Sequence, residues 1–105
     1  MRIVIKKVGQ FPEVREIKGT LENIKEIVGG YIECFPVFDN VLCVCNEEGK
    51  LLKLPANFLF GGDVIVGDVF FCAGGEEDFE SLKDHQVEVL MNTMTAVEKV
   101  RRMRM

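Results

Sequence analysis

Histidine occurs once in this chain, at position 85, tryptophan not at all, and positive charge is in the minority, with 13 Lys and Arg against 17 Asp and Glu. The absence of tryptophan says nothing, but the other two shortages each exclude something. The formal charge of −4 argues against general binding to a nucleic-acid backbone, which needs a basic face. A lone histidine leaves general acid–base chemistry without its usual partner in a cleft. Ser81, one turn before it, offers a capping contact and no triad. No phosphate loop of the form G-x-x-x-x-G-K-[ST] and no G-x-G-x-x-G fingerprint is present. No apolar run approaches the roughly 18 residues of a membrane span. The opening MRIVIKKVGQF lacks the apolar core and small-residue cleavage site of a signal peptide. The expectation is a cytoplasmic protein with reduced thiols, no cofactor, no metal and no enzymatic activity.

What is present is enough for a core. The chain has 105 residues, 48% of them hydrophobic, and eight phenylalanines. That suits one domain over 1–105 with an apolar interior of its own. Residues 2–7 (RIVIKK) are β-branched and alternating, and 13–18 return antiparallel to them. Thr20 can cap a helix over 20–28, with Leu21, Ile24, Ile27 and Val28 on one face and Gly29-Gly30 as its stop. Strands are predicted at 31–35 and at 41–45, the latter almost wholly apolar and so central. A turn at 46–49 leads to a returning strand at 50–54, which Pro55-Ala56-Asn57 breaks. Short strands follow at 64–66 and 69–73. The acidic stretch 76–81 reads as a linker between the sheet region, 1–75, and a long final helix, 82–103. Ser81 is its predicted N-cap, and Val87, Leu90, Met91, Met94, Val97 and Arg101 its inward stripe. The fold class is α+β: a bent antiparallel sheet of about five to seven short strands, one short helix after the second strand, and one long C-terminal helix.

Cys34, Cys43, Cys45 and Cys72 sit among Val, Leu, Ile and Phe, without the C-x₂-C knuckle of a zinc site. They read as small core residues. His85 reads as an exposed helix residue. Two surfaces suit recognition. One is the turn bearing Asn46, Glu47, Glu48 and Lys50 with the Asn57 corner, since loops on rigid strands often carry binding groups. The other is the final helix, whose methionines give adaptable apolar contacts and which could form a homodimer. Charge is sorted along the chain. From 76 to 88 there are six acids against Lys83, and from 99 to 104 four bases and no acid. That order suits the dipole of a helix.

Three segments carry a resemblance: EVREIKGTLENIKEIVGGYIE at 13–33, CNEEGKLLKLPANF at 45–58, and DFESL at 78–82. Together they resemble a family of small proteins from phages, prophages and mobile elements of Gram-positive bacteria, known as a domain of unknown function. The likeness runs from Ile3 to about Met91. It implies an accessory, non-enzymatic protein of the kind that includes counter-defence factors and anti-CRISPR proteins. On that reading the chain binds and inhibits a bacterial defence protein or ribonucleoprotein complex, with a CRISPR effector nuclease as first candidate. Glu76, Glu77, Asp78 and Glu80 would meet a basic groove of the partner. A second expectation is an oligomeric sponge for a nucleotide immune signal, with Arg101, Arg102 and Arg104 facing phosphates. A third is a regulatory or structural accessory protein.

Overall fold

The computed structural model describes residues 1–75 and 78–104. Among them are eight strands and two helices. In chain order these are β1 (Arg2–Lys6), β2 (Glu13–Glu16), α1 (Leu21–Val28), β3 (Ile32–Phe38), β4 (Val41–Asn46), β5 (Ala56–Phe60), β6 (Asp63–Val66), β7 (Val69–Gly74), β8 (Phe79–Glu80) and α2 (Asp84–Met103). The fold is thus α+β as expected, with one strand more than the expected range.

The main sheet runs β2-β1-β7-β4-β3, with β8 also paired to β7. All its described pairings are antiparallel. β4 is interior as expected, paired with β3 and β7, and the middle strand is β7, VFFCAG. Five of the six β7 residues are buried. A strand covered on both faces has no polar alternation, and successive side chains point to opposite sides. Accordingly Phe70 and Cys72 join Ile3, Ile5, Val44, Ile24 and Val28 beneath α1. Val69, Phe71 and Ala73 join Val4, Cys43, Leu90 and Met94 beneath α2. The sheet therefore separates two apolar layers.

Helix α1 ends where local chemistry dictates. Thr20 accepts a hydrogen bond from the Asn23 amide, and Gly29 closes the helix at φ 82°. Helix α2 starts later than expected. Lys83, and not Ser81, is its N-cap, and the Lys83 amide donates to Gln86 Oε1 at 2.8 Å. The Ser81 hydroxyl instead accepts from the Arg2 amide at 3.0 Å. The predicted linker is partly a strand, since β8 continues the edge of β7 that β1 vacates: Val4 pairs with Phe71, and Glu80 with Ala73.

Two further expectations are corrected. Residues 50–53 form turns, not a returning strand; the Leu52 amide reaches back to the Glu48 carbonyl at 2.8 Å. Residues Pro55-Ala56-Asn57 do not break a strand but lead into β5. β5 and β6 make a separate hairpin. Its two-residue loop, Gly61 at φ 57° and Gly62 at φ 81°, has the left-handed backbone that matches the twist of a tight hairpin. Phe58 and Ile65 anchor the hairpin in the α2-side core. Leu59, which follows Phe58 on β5, is 68% exposed.

Candidate functional site

The hairpin stands off the end of the main sheet and leaves a cleft of about 430 Å³ between itself, β3 and β4. Small-ligand pockets span about 300–1,000 Å³, so the space can take a single side chain or a small group. Phe35 from β3 and Phe60 from β5 meet there with ring centroids 5.4 Å apart. Glu33, Glu47 and Asp63 also line the cleft, three carboxylates against the one ammonium of Lys50. Lys50 is bonded to Asp63, and that hydrogen bond holds the Asp63 carboxyl below the usual range. The result is a partly aromatic, anionic recess.

Cys45 lies at its base, 3.8 Å from Glu33 Oε1. Burial, and then the neighbouring Glu33 charge, pushes its thiol up to about 11. At neutral pH it is a protonated thiol, a poor nucleophile. Burial likewise raises Cys43, and pushes Cys72 up to about 12. Cys34 alone is exposed. Three of the four cysteines are therefore core residues, as read from their neighbours. Among the described residues no group of three or more His, Cys, Asp or Glu could hold a metal ion.

The site residues expected from the sequence divide into three groups. Glu47 and Lys50 line the cleft, and Glu48 is exposed beside them. Asn46 and Asn57, read as surface, are turned inward. Asn46 Nδ2 donates to the Val28 carbonyl at 3.2 Å and its Oδ1 accepts from the Glu48 amide at 2.8 Å. Asn57, 2% exposed, donates to the carbonyls of Lys6 and Gly67 at 2.8 and 2.9 Å. Both bond backbone that the neighbouring elements leave unpaired, which is why they are buried. In the acidic group, Asp78 and Glu80 are exposed, whereas Glu76 and Glu77 lie outside the described residues. His85 is exposed as expected, its Nε2 2.7 Å from Asp39 Oδ2.

A second polar cluster is closed. Lys6 and Glu98 are both fully buried, and their side chains meet at 3.0 Å. The Lys6 ammonium donates also to Asn57 Oδ1 at 3.0 Å and to the Lys7 carbonyl at 2.9 Å. Its three protons are thus all used. Burial works to raise the Glu98 carboxyl, but the hydrogen bonds from Lys6 and Arg102 and the nearby charges outweigh it and hold it low. Arg102 donates to Glu98 Oε2 at 3.0 Å and to the Gly9 carbonyl at 3.1 Å, and covers the Phe11 ring at 4.1 Å. Everything in this cluster is committed to holding α2 on β1 and β5.

The cleft residues that the sequence did not single out are Glu33, Phe35, Phe60 and Asp63. They come from three strands, β3, β5 and β6, and only the hairpin's position brings them together. The signal available was the excess of apolar residues at 58–60 beside the glycine pair at 61–62, which marks a turn carrying exposed aromatic surface.

Two helices on opposite faces of an antiparallel sheet, with an open acid-lined cleft at one end, define a small α+β domain. The chain belongs to the DUF3846 family, a domain of unknown function, whose family model matches residues 1–95. No curated protein and no solved structure matches it. No described helix is long and apolar enough to cross a membrane.

Proposed function

We propose that this chain is a non-enzymatic, cytoplasmic protein of phage or mobile-element origin that binds and inhibits a bacterial defence complex, with a CRISPR effector nuclease as first candidate. The observation that carries the binding half of this reading is the cleft. An arginine or lysine of the partner inserted there would meet the faces of Phe35 and Phe60 and the carboxylates of Glu33 and Glu47. A cation held between an aromatic face and a carboxylate gains from both. Partners with nucleic-acid grooves are rich in such side chains, and the net charge of −4 would speed the encounter. In this reading Asp78 and Glu80, with Glu76 and Glu77, make a separate acidic contact, since Glu80 pairs with Ala73 and Ala73 with Val41, at the other end of β4 from the cleft residues Cys45 and Asn46. The choice of a defence complex rests on the sequence resemblance alone.

The test is inhibition of purified CRISPR effectors by the purified protein, with cleavage of target DNA as readout. The expected result is inhibition that Glu33→Lys with Glu47→Lys weakens at least about tenfold, as for loss of paired interfacial charges. Undiminished inhibition by that variant and by Asp78→Lys with Glu80→Lys would sink the charge-recognition idea. No inhibition of any effector would sink the counter-defence idea.

A second reading keeps the nucleotide sponge, because Arg101 and Arg104 line an apolar groove beside α2. Arg102 is turned away to Glu98 and Phe11. A cyclic nucleotide retained through purification and seen by native mass spectrometry would favour the sponge over the inhibitor.

A further inference from the structure

The outer face of α2 carries a pattern that its packing on the sheet does not use. Gln86, Leu90, Met94 and Glu98 are its buried ridge. Beside it Val89, Thr93, Ala96, Val100 and Met103 recur at intervals of four, three, four and three residues, and all five are exposed. Val89 is 43% exposed, Val100 48% and Met103 82%. This alternation of three and four is the spacing of a coiled-coil seam. It keeps one narrow apolar line facing a partner helix, where a helix covered only by its own domain needs none.

The line continues onto the hairpin. Thr93, Ala96 and Val100 form one wall of a groove of about 790 Å³ whose other wall holds Leu59 and Val64. Leu59 is 68% and Val64 39% exposed. Two heptads alone are short for a coiled coil, and these hairpin side chains widen the apolar face to a size worth covering.

We propose that this face is the two-fold interface of a homodimer, in which α2 of a second copy lies antiparallel along the seam. Val89 of each copy then packs against Val100 of the other, and Thr93 against Ala96. Three observations select this occupant. The order Val, Thr, Ala, Val is large, small, small, large from either end, so one pairing, Val89 with Val100 and Thr93 with Ala96, repeats about a two-fold axis. The small Thr93 and Ala96 fall at its centre and let the helices approach. The exposed charges on one flank, Glu88 and Lys99, come within reach of each other across an antiparallel pair. A parallel pair would bring together the basic ends of both helices, each bearing Arg101, Arg102 and Arg104. Like charges so placed are destabilising, and antiparallel helix dipoles are complementary. The dimer face adjoins the cleft on β3, β4 and the hairpin, and Val64 lines both.

Sedimentation velocity over a concentration series tests it. The wild type is expected to sediment as a dimer of 11.9 kDa chains. Val100→Glu, at an exposed position where the fold tolerates charge, is expected to raise the dissociation constant at least about tenfold, since it buries unpaired charge twice in one interface. Glu88→Lys should weaken association, and Glu88→Lys with Lys99→Glu should restore it. Orientation is read by oxidation of mixed chains carrying Thr93→Cys or Ala96→Cys in a Cys34→Ser background. The antiparallel register gives the mixed disulfide in preference to either homodisulfide. A wild-type monomer at every concentration, a dimer untouched by Val100→Glu, or a preference for homodisulfides overturns the proposal.

Discussion

The two helices sit on opposite faces of one sheet and are held by different chemistry. Helix α1 is eight residues long and presses Ile24 and Val28 into an apolar layer. Helix α2 is 20 residues long and, besides Leu90 and Met94, buries Gln86 near one end and Glu98 near the other. Gln86 bonds the Asp39 carbonyl at 2.8 Å, and Glu98 bonds Lys6 and Arg102. Apolar contact is non-directional, so α1 is held by contact area, its caps and, at its C-terminal end, the bond from Asn46 to the Val28 carbonyl. Directional bonds at both ends fix the rotation and register of α2. They also fix which face of α2 is turned to the outside, so the seam at Val89–Met103 is presented by design of the interior.

The comparison can be broken most severely at Glu98. Glu98→Ala leaves Lys6 charged, buried and short of a partner, and is expected to cost about 4 kcal/mol in urea unfolding. Replacing both partners, Lys6→Met with Glu98→Leu, should recover most of that loss, because a buried pair is often replaceable by apolar packing. If the double variant is as unstable as the single one, the pair does more than satisfy itself. Ile24→Ala on the other face should cost about 3 kcal/mol, within the usual range for a cavity left in an apolar layer.

Acid sharpens the contrast. The Glu98 carboxyl titrates lower in the folded chain than in the unfolded one, so its contribution is complete above the ordinary glutamate range. It is lost as pH falls toward and through the folded value. Urea midpoints measured from neutral pH downward should therefore fall less steeply for Glu98→Gln than for the wild type, and as steeply for Ile24→Ala. The smallest effect is expected at the α1 cap, where Thr20→Ala removes one side-chain bond and should cost about 1 kcal/mol by the same measurement.

Helix α1 was legible in the sequence because its signals are local: a capping threonine, an apolar face and a glycine stop. The inward face of α2 was only partly so. Leu90 and Met94 follow from spacing, but Gln86 and Glu98 look like surface residues until Asp39 and Lys6 are seen beside them. Asn46 and Asn57 misled for the same reason, since turn-forming residues can equally serve backbone groups inside. The rank of β4 and β7 could not be read from two runs that are both almost wholly apolar. The cleft was half legible. Glu47 and Lys50 lie on a recognisable turn, whereas Glu33, Phe35, Phe60 and Asp63 depend on where a separate hairpin docks. The family model settles membership and leaves the activity to experiment.

The position of β1 has a kinetic consequence. Its strand partners are β2, a few residues away, and β7, from the far half of the chain, with Val4 opposite Phe71. The Arg2 guanidinium further grips the Leu82 carbonyl at 2.6 Å and Asp84 at 2.7 Å. β1 is thus among the last strands to be locked in place. Closing so long a loop must precede the contacts that reward it. The chain should therefore fold in milliseconds to seconds, with the β1–β2 hairpin waiting as an open edge until β7 arrives.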